Sequence, residues 1–161
     1  MYEAFHKTPV GFVRIRADEE FITSISIRDE ECVETPSPSP AIILAIKQLD
    51  EYFAGTRKEF DLPINQPGTD FQKEVWKNLL TVKYGSTMSY LQLANQMNNP
   101  LAIRAIAASN GKNMLWIVVP CHRVIGSNGS LTGYAGGLWR KQWLLEHEAR
   151  VMGIGQTKLP F

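Results

Sequence analysis

Three prolines within six residues divide the first half of the chain into parts with different secondary structure. The run from Thr35 to Pro40 reads Thr-Pro-Ser-Pro-Ser-Pro. Proline fixes its own φ angle and has no N–H to donate, so this run can form neither a helix nor an inner strand. We predict a stiff linker here, with strands before it and a helix after it.

The residues before this linker have the periodicity of strands. Apolar and polar side chains alternate from Phe21 onward, with Phe21, Ile25 and Ile27 on one face, which is typical of a half-buried strand. Short polar segments between the strands suit hairpin connections. The three predicted strands span residues 2–6, 10–17 and 21–27.

A helix and a domain boundary follow the linker. Residues 41–54 place apolar side chains at helical spacing, and Gly55 is positioned to end that helix. Two prolines soon after it indicate a break in the chain. We therefore predict two domains, residues 1–63 and 68–161.

The second half carries clear helix-start signals. Thr69 with Gln72, and Ser89 with Gln92, form capping boxes ahead of apolar residues. A last helix is predicted from about Leu138.

A third helix is predicted between these signals. Asn99 can cap it with Pro100 at its first position, and it ends near Gly111. Two short helices joined at Asn98-Asn99 have the size of a helix-turn-helix, although small helical bundles contain the same corner.

Charge is divided unevenly along the chain, although the formal net charge is only +1. Residues 1–67 hold 12 acids and 7 bases, a net charge of −5, while residues 68–161 hold 4 acids and 10 bases, a net charge of +6. An acid-free stretch between Val75 and Leu145 suits a surface that lies on a phosphate backbone; chance clustering on a solvated face is the alternative. Its seven bases are Lys77, Lys83, Arg104, Lys112, Arg123, Arg140 and Lys141.

The predicted third helix has a surface of small side chains and one long cation, Arg104. Small side chains allow a helix backbone to approach another helix or a DNA groove closely. In a groove, Arg104 would be the side chain long enough to enter the duplex; alternatively, the alanines pack in the core and Arg104 makes a surface ion pair. The small residues are Ala102, Ala105, Ala107, Ala108 and Ser109.

Cys121 is the residue that most directly suggests chemistry. An isolated cysteine is usually a small buried hydrophobe, but Cys121 is followed by His122 and Arg123. Positive neighbours favour the thiolate, which is the nucleophilic form. We expect a bridging water between His122 and the sulfur, and a carboxylate, Glu146 or Glu148, that holds the imidazole.

Composition indicates the compartment. Two cysteines do not suggest a secreted disulfide scaffold, although a single Cys32–Cys121 bridge remains an alternative. No apolar run reaches the roughly 18 residues of a membrane span, and the first residues lack a signal-peptide pattern. We expect a soluble, cytoplasmic protein with no membrane partner.

The residues around Cys121 resemble a known family. Pro120-Cys121-His122-Arg123-Val124 is similar to the active-site signature of the 6-O-alkylguanine-DNA alkyltransferases, also called methylated-DNA–protein-cysteine methyltransferases. The resemblance covers about residues 68–150, while the first half is similar only in its pattern of strands and helix. The further matching residues, in order, are Ser89-Tyr90, Arg104, Asn113, Tyr134 and Leu144-Leu145-Glu146-His147-Glu148.

The resemblance implies a fold and an activity. The implied fold is α+β, with a small ribonuclease-H-like N-terminal domain containing an antiparallel sheet, and a helical C-terminal domain containing a winged-helix-like helix-turn-helix variant. The implied activity is single-turnover DNA repair, in which a 6-O-alkylguanine (chiefly 6-O-methylguanine, also 4-O-methylthymine) is flipped out and its alkyl group moves irreversibly to Cys121. The implied partner is double-stranded DNA, bound through its minor groove by a monomer without a cofactor.

The resemblance also implies roles for catalytic residues. Cys121 is the alkyl acceptor, His122 the general base acting through water, and Glu148 the group that orients His122. Tyr90 protonates the departing guanine ring, and Asn113 organises the turn that precedes the active-site segment.

A second set of residues is expected to contact DNA or the base. Arg104 fills the space left by the flipped nucleotide, Tyr134 forms a wall of the pocket, and the backbone of Cys121, Val124 and Ala135 reads the base edge. The whole set is Arg104, Ala105, Ala108, Ser109, Arg123, Val124, Tyr134 and Ala135.

Some relatives in this family bind zinc through a Cys/His cluster in the N-terminal domain. Here Cys32 and His6 are too few for a tetrahedral site, so we predict no metal. Three other functions stay open: a lesion-binding, alkyltransferase-like protein without transfer activity, a thiol-dependent hydrolase, and a transcriptional regulator.

Overall fold

The chain begins with a three-stranded antiparallel sheet in the order β1-β2-β3. The computed structural model describes residues 1–129, 131, 133, 134 and 136–153. The three predicted strands are confirmed, with ends that differ by at most two residues. Their bounds are β1 Tyr2–Thr8, β2 Gly11–Ala17 and β3 Ile22–Arg28.

One detail of β3 differs from the simple alternation. Ile25 and Ile27 are buried as expected, but Ile22 is buried with them, while Phe21 is only half-buried. The register of β2 and β3 shifts beside Ala17, so that Thr23 is passed over in the pairing. Such a bulge inserts one residue, which turns Ile22 to the core face.

The proline-rich linker leads into the helix as predicted. Helix α1 spans Pro40–Ala54, with the Ser39 hydroxyl accepting from the Ile42 amide and Gly55 at its end with φ of 82°. Pro40 occupies the first turn, where its missing N–H costs no hydrogen bond. Helix α1 packs on β1 and β2 and closes the core of this unit.

The outer edge of β3 is paired with two other segments. Ile22 exchanges backbone hydrogen bonds with Pro63 and Asn65, and Ile25 does so with Met114 and Trp116. An edge strand that is covered in this way cannot recruit another chain. Residues 1–67 and 114–118 thus form one compact unit, and residues 68–113 with the described residues from Val119 onward form a second. The predicted division of the chain into two domains, residues 1–63 and 68–161, stays a prediction.

The second unit is mostly helical, which confirms the α+β class. Both capping boxes are present, at Thr69 with Gln72 and at Ser89 with Gln92. Two short strands, β4 and β5, pair in parallel. The elements are α2 Asp70–Leu79, β4 Met88–Ser89, α3 Tyr90–Gln96, α4 Ile103–Gly111, β5 Val124–Ile125 and α5 Leu138–Val151.

Helices α3 and α4 pack against each other across a turn, as in a helix-turn-helix. Asn98 has φ of 55°, a left-handed conformation that asparagine tolerates better than most residues. The predicted side-chain cap by Asn99 is wrong: Asn99 makes no capping bond, and a 3₁₀ turn at Pro100–Ala102 precedes α4 instead.

No helix among the described residues has the length and apolar character to cross a membrane.

The turn at Asn98 gives a prediction about stability. Asn98→Ala should destabilise the protein by about 1 kcal/mol, because alanine cannot adopt a positive φ without strain. Asn98→Gly should have little effect, because glycine adopts that conformation readily. Asn95→Ala, an exposed change one turn earlier in α3, is the matched control and should be neutral or slightly stabilising. Urea unfolding measures all three; equal effects of alanine and glycine at position 98 would contradict the assignment.

Candidate active site

Cys121 lies in a short turn that the sheet pairing of the second unit holds in place. Residues Cys121–Arg123 form a 3₁₀ turn that leads directly into β5. Because β5 pairs with β4 and α3 begins immediately after β4, Tyr90 starts its helix beside the strand that follows Cys121. Two segments separated by about thirty residues in the chain therefore meet at one place.

The Cys121 thiol is buried and accepts a hydrogen bond from Asn113. Cys121 is 4% exposed, and Asn113 Nδ2 donates to Sγ at 3.2 Å and to the Val119 carbonyl at 3.0 Å. One amide group therefore fixes both the sulfur and the backbone that leads to it.

The charge state of this thiol differs from the sequence expectation. Burial raises the pKa of Cys121, whereas the Asn113 hydrogen bond, the Lys141 charge and the backbone amides of Cys121 and His122 lower it. Burial prevails, so the resting group is a thiol. The expectation that flanking His122 and Arg123 would make it a thiolate is wrong, because the imidazole is neutral and the guanidinium is paired elsewhere.

His122 and Glu148 are brought together in the interior. His122 Nε2 lies 2.7 Å from Glu148 Oε2, and neither residue is exposed to solvent. A carboxylate only accepts hydrogen bonds, so Nε2 carries the proton and donates it. Burial lowers the pKa of His122 and outweighs the opposite pull of Glu148. Among the described residues, none pairs with the buried Nδ1 of His122, which is the acceptor nitrogen of this tautomer.

Arg123 occupies a different place from the one expected for a DNA contact. Its Nε and Nη2 donate to Oε1 and Oε2 of Glu148 at 2.8 and 3.0 Å, and its Nη1 donates to the Val82 carbonyl at 2.8 Å. It is 6% exposed. The guanidinium is thus committed to the protein interior, and the expected role of Arg123 at the DNA surface is corrected to that of an internal partner of Glu148.

Glu148 collects donors from three parts of the second unit. The Gly85 amide donates to Oε1 at 3.1 Å, in addition to His122 and Arg123. Burial acts to raise the pKa of the Glu148 carboxyl, but His122 and Arg123 together lower it strongly, so the group is ionised. Gly85 has φ of 78°, and a Cβ there would lie 2.6 Å from Met152 Cγ.

Lys141 is a site residue that sequence reasoning missed. The sequence predicts it to be one of the surface bases, but it is fully buried, and its Nζ donates to the Val124 carbonyl at 2.6 Å. Burial lowers the pKa of Lys141 to about 8, although Cys121 opposes this shift. One signal was available: Lys141 and Glu148 are seven residues apart, which puts them on the same face of α5.

Tyr90 and Tyr134 also lie in this unit. Asn110, a buried residue that the sequence did not single out, donates from Nδ2 to the Tyr90 hydroxyl at 3.2 Å. Burial raises the pKa of Tyr134 well above its usual value, and Cys121 adds to that rise. Ala135, expected to contact the base edge, lies outside the described residues.

Helix α4 exposes part of the surface that was expected to meet DNA. Arg104, Ala105 and Ala108 are exposed, and Leu101 in the preceding turn is almost fully so. Ser109 differs from the expectation, since it is only 5% exposed and its carbonyl accepts from Trp76 Nε1 at 2.8 Å. The exposed strip therefore consists of Arg104, Ala105 and Ala108 on α4, with the large apolar side chain of Leu101 exposed in the turn before it.

The acid-free stretch contains both buried and exposed cations, which composition cannot tell apart. Arg123, Arg140 and Lys141 are buried, so these three cations belong to the interior. The exposed bases of the stretch are Lys77, Lys83, Arg104 and Lys112.

Within the described part of the chain, no three His, Cys, Asp or Glu side chains are grouped to hold a metal ion.

Comparisons with known proteins point to one family. Residues 70–150 match the DNA-binding domain, and residues 1–66 the ribonuclease-like domain, of 6-O-methylguanine DNA methyltransferase. Two curated relatives, each a methylated-DNA–protein-cysteine methyltransferase, come from Mycobacterium tuberculosis (54% identity; 88% of both chains) and Methanosarcina acetivorans (40% identity; 92% of this chain and 98% of the relative).

Solved structures agree with this match. The crystal structure of Mycobacterium tuberculosis O6-methylguanine methyltransferase has a TM-score of 0.83 and 42% identity, covering 93% of this chain and 94% of that one. A structure of Mycobacterium tuberculosis OGT in complex with DNA has a TM-score of 0.83 and 41% identity, covering 93% of each chain.

The buried carboxylate gives a prediction about stability and its pH dependence. Glu148→Gln should cost about 3 kcal/mol near neutral pH, because it leaves the buried Arg123 cation without its counter-charge. Since the folded-state pKa of Glu148 lies below the ordinary value of 4.5, its contribution is complete above that value and is lost as the pH falls through the folded-state pKa. Urea unfolding at several pH values tests this.

The matched control is Glu146→Gln, a half-buried glutamate on the same helix. It should change the unfolding free energy by less than about 0.5 kcal/mol. Equal costs for the two variants, or a Glu148→Gln cost that persists unchanged in acid, would contradict the role given to Glu148.

Proposed function

Since this chain belongs to the methylated-DNA–protein-cysteine methyltransferase family, we propose that it repairs DNA by moving the alkyl group of 6-O-alkylguanine, chiefly 6-O-methylguanine and also 4-O-methylthymine, onto Cys121. The observation that carries the proposal is the buried series of Asn113, Cys121, His122 and Glu148, joined by hydrogen bonds and adjacency within one unit. It supplies an acceptor sulfur, a proton acceptor and a fixed counter-charge.

The first step of the proposed reaction is activation of the thiol. His122 Nδ1 takes the Cys121 proton through a water molecule, while Glu148 holds the imidazole by its Nε2–H. The resulting thiolate is stabilised by the Asn113 hydrogen bond, by the Lys141 charge and by the backbone amides of Cys121 and His122.

The second step is in-line displacement at the alkyl carbon. The sulfur forms a bond to carbon as the bond from carbon to the guanine oxygen breaks, and its electron pair moves into the purine ring. Tyr90 donates a proton to that ring, and the proton held on His122 replaces it. In net terms one hydrogen passes from the thiol to guanine, and a thioether is left on Cys121. Water does not cleave a thioether under mild conditions, so each molecule acts once.

The proposed DNA contact is made in the minor groove by α4. Ala105 and Ala108 are exposed and small, so the helix backbone can approach the narrow groove closely. Arg104 projects from the same strip and would occupy the space of the extruded nucleotide. Tyr134 and the backbone of Val124 and Ala135 would then line the pocket for the flipped base.

We propose that the protein acts as a monomer in the cytoplasm. The active thiol must stay reduced, and both Cys121 and Cys32 are present as thiols. A monomer is sufficient because every side chain of the proposed chemistry comes from one unit of one chain. A lesion-binding protein without transfer activity would have no use for the hydrogen-bonded sulfur, so the transfer reaction is favoured over it.

Transfer to sulfur is tested by weighing the intact protein. After incubation with a duplex that carries one 6-O-methylguanine, the protein should gain the mass of one methyl group, mapped to Cys121, in a one-to-one ratio with repaired DNA. Cys121→Ala should bind the duplex and gain nothing, while Cys32→Ala, the control, should react as the natural protein does. Repeated turnover would indicate a hydrolase, and tight binding without added mass would indicate a lesion-binding protein.

Nucleotide flipping is tested at Arg104. Arg104→Ala should slow methyl transfer from duplex DNA by about tenfold or more, a loss of at least about 1.4 kcal/mol, and leave the reaction with free 6-O-methylguanine base unchanged. Arg150→Ala removes the same side chain from an exposed position in the last turn of α5 and serves as the control. If both variants react with duplex at the natural rate, the role given to Arg104 is wrong.

A further inference from the structure

The arginine next to the active-site histidine binds the same carboxylate as that histidine. Glu148 Oε2 contacts His122 Nε2 at 2.7 Å and Arg123 Nη2 at 3.0 Å, while Oε1 accepts from Arg123 Nε at 2.8 Å. A carboxylate that pairs with histidine alone favours the imidazolium form. A guanidinium on the same carboxylate already supplies the positive charge, because arginine stays protonated in proteins.

The surroundings of His122 already contain two buried cations, Arg123 and Lys141. Arg123 follows it in the same turn, Lys141 and Glu148 come from α5, and Cys121 precedes it. Tyr84 lies against Arg123, with its ring centroid 5.5 Å from the guanidinium carbon. A protonated His122 would therefore be a third buried cation beside a single carboxylate. Arg123 and Lys141 both lower the pKa of His122, in the same direction as burial.

We propose that Arg123 is a positioning residue that acts through Glu148 to keep His122 neutral, so that Nδ1 is available as a proton acceptor. The proposal rests on the function of His122 as a base, given above. It is independent of DNA, because the guanidinium is 6% exposed and its three hydrogen bonds run to Glu148 and the Val82 carbonyl. Arg123 does not touch the reacting atoms, so its effect is on the proton affinity of another residue.

The test is the pH dependence of single-turnover methyl transfer. Rates are measured from about pH 5.5 to about pH 9, with a duplex that carries one 6-O-methylguanine and with protein in excess. Arg123→Gln should move the acid limb of the profile upward by about one pH unit, which is roughly a tenfold slower reaction on that limb, and leave the alkaline plateau unchanged. Arg123→Lys keeps one positive charge and should give a smaller shift.

Two controls separate this role from a structural one. Arg150→Gln makes the same substitution at an exposed arginine and should not move the limb. A uniform loss of rate at all pH values in Arg123→Gln would mean that Arg123 only supports the fold, and an unmoved profile would also overturn the proposal. A rate loss that appears with duplex but not with free 6-O-methylguanine base would point to a DNA contact and likewise overturn it.

A measurement on the natural protein keeps the test valid if Arg123→Gln does not fold. Nitrogen NMR of His122 in the natural protein should show a mostly neutral ring with its proton on Nε2 at about pH 6.5, where an ordinary histidine is half charged. An imidazolium at neutral pH would overturn the proposal. His122→Gln distinguishes the two hypotheses. If this variant retains the acid limb of the natural protein, the proposed function of His122 as a base fails. If it loses the acid limb while the pH profile of Arg123→Gln is unmoved, only the role given to Arg123 is rejected.

Discussion

The second unit depends on one buried carboxylate. Glu148 has no solvent exposure, and a bare charge in that position would be strongly unfavourable. It is stabilised by an imidazole, a guanidinium and a backbone amide, from His122, Arg123 and Gly85. The same hydrogen bonds hold the turn that contains Cys121 against α5. The position of the thiol therefore depends on the hydrogen bonds that compensate the buried charge of Glu148.

Local signals in the sequence were sufficient for most of the fold. The capping boxes at Thr69 and Ser89 identify helix starts because a hydroxyl and a glutamine three residues later satisfy backbone amides without help from the rest of the chain. The same reasoning failed at Asn99 and Ile22. At Ile22 the buried face is set by a register shift with β2 and by hydrogen bonds to Pro63 and Asn65, which local periodicity does not record. At Asn99 a 3₁₀ turn stands in place of the side-chain cap.

The site was predictable in its members but not in its electrostatics. The family resemblance singled out Cys121, His122 and Glu148, and the structure brings these residues together. Arg123 and Lys141 were assigned to a DNA-facing surface because sequence alone cannot tell an exposed cation from one that matches a buried partner. For Arg123 that partner is a carboxylate 25 residues further along the chain. The identity of a cation predicts its charge, whereas its role is set by which groups the fold places beside it.

Gly85 sets a limit on how this site can vary. Its contribution to Glu148 is a backbone N–H, a group that every residue except proline carries, so the contact itself demands no particular side chain. The demand comes from its φ of 78° and from Met152 Cγ, 2.6 Å from where a Cβ would stand. Any other residue at position 85 would have to adopt this left-handed backbone and displace the Met152 side chain. A residue that contributes only a backbone amide to the site thus still restricts which side chains the chain can carry there.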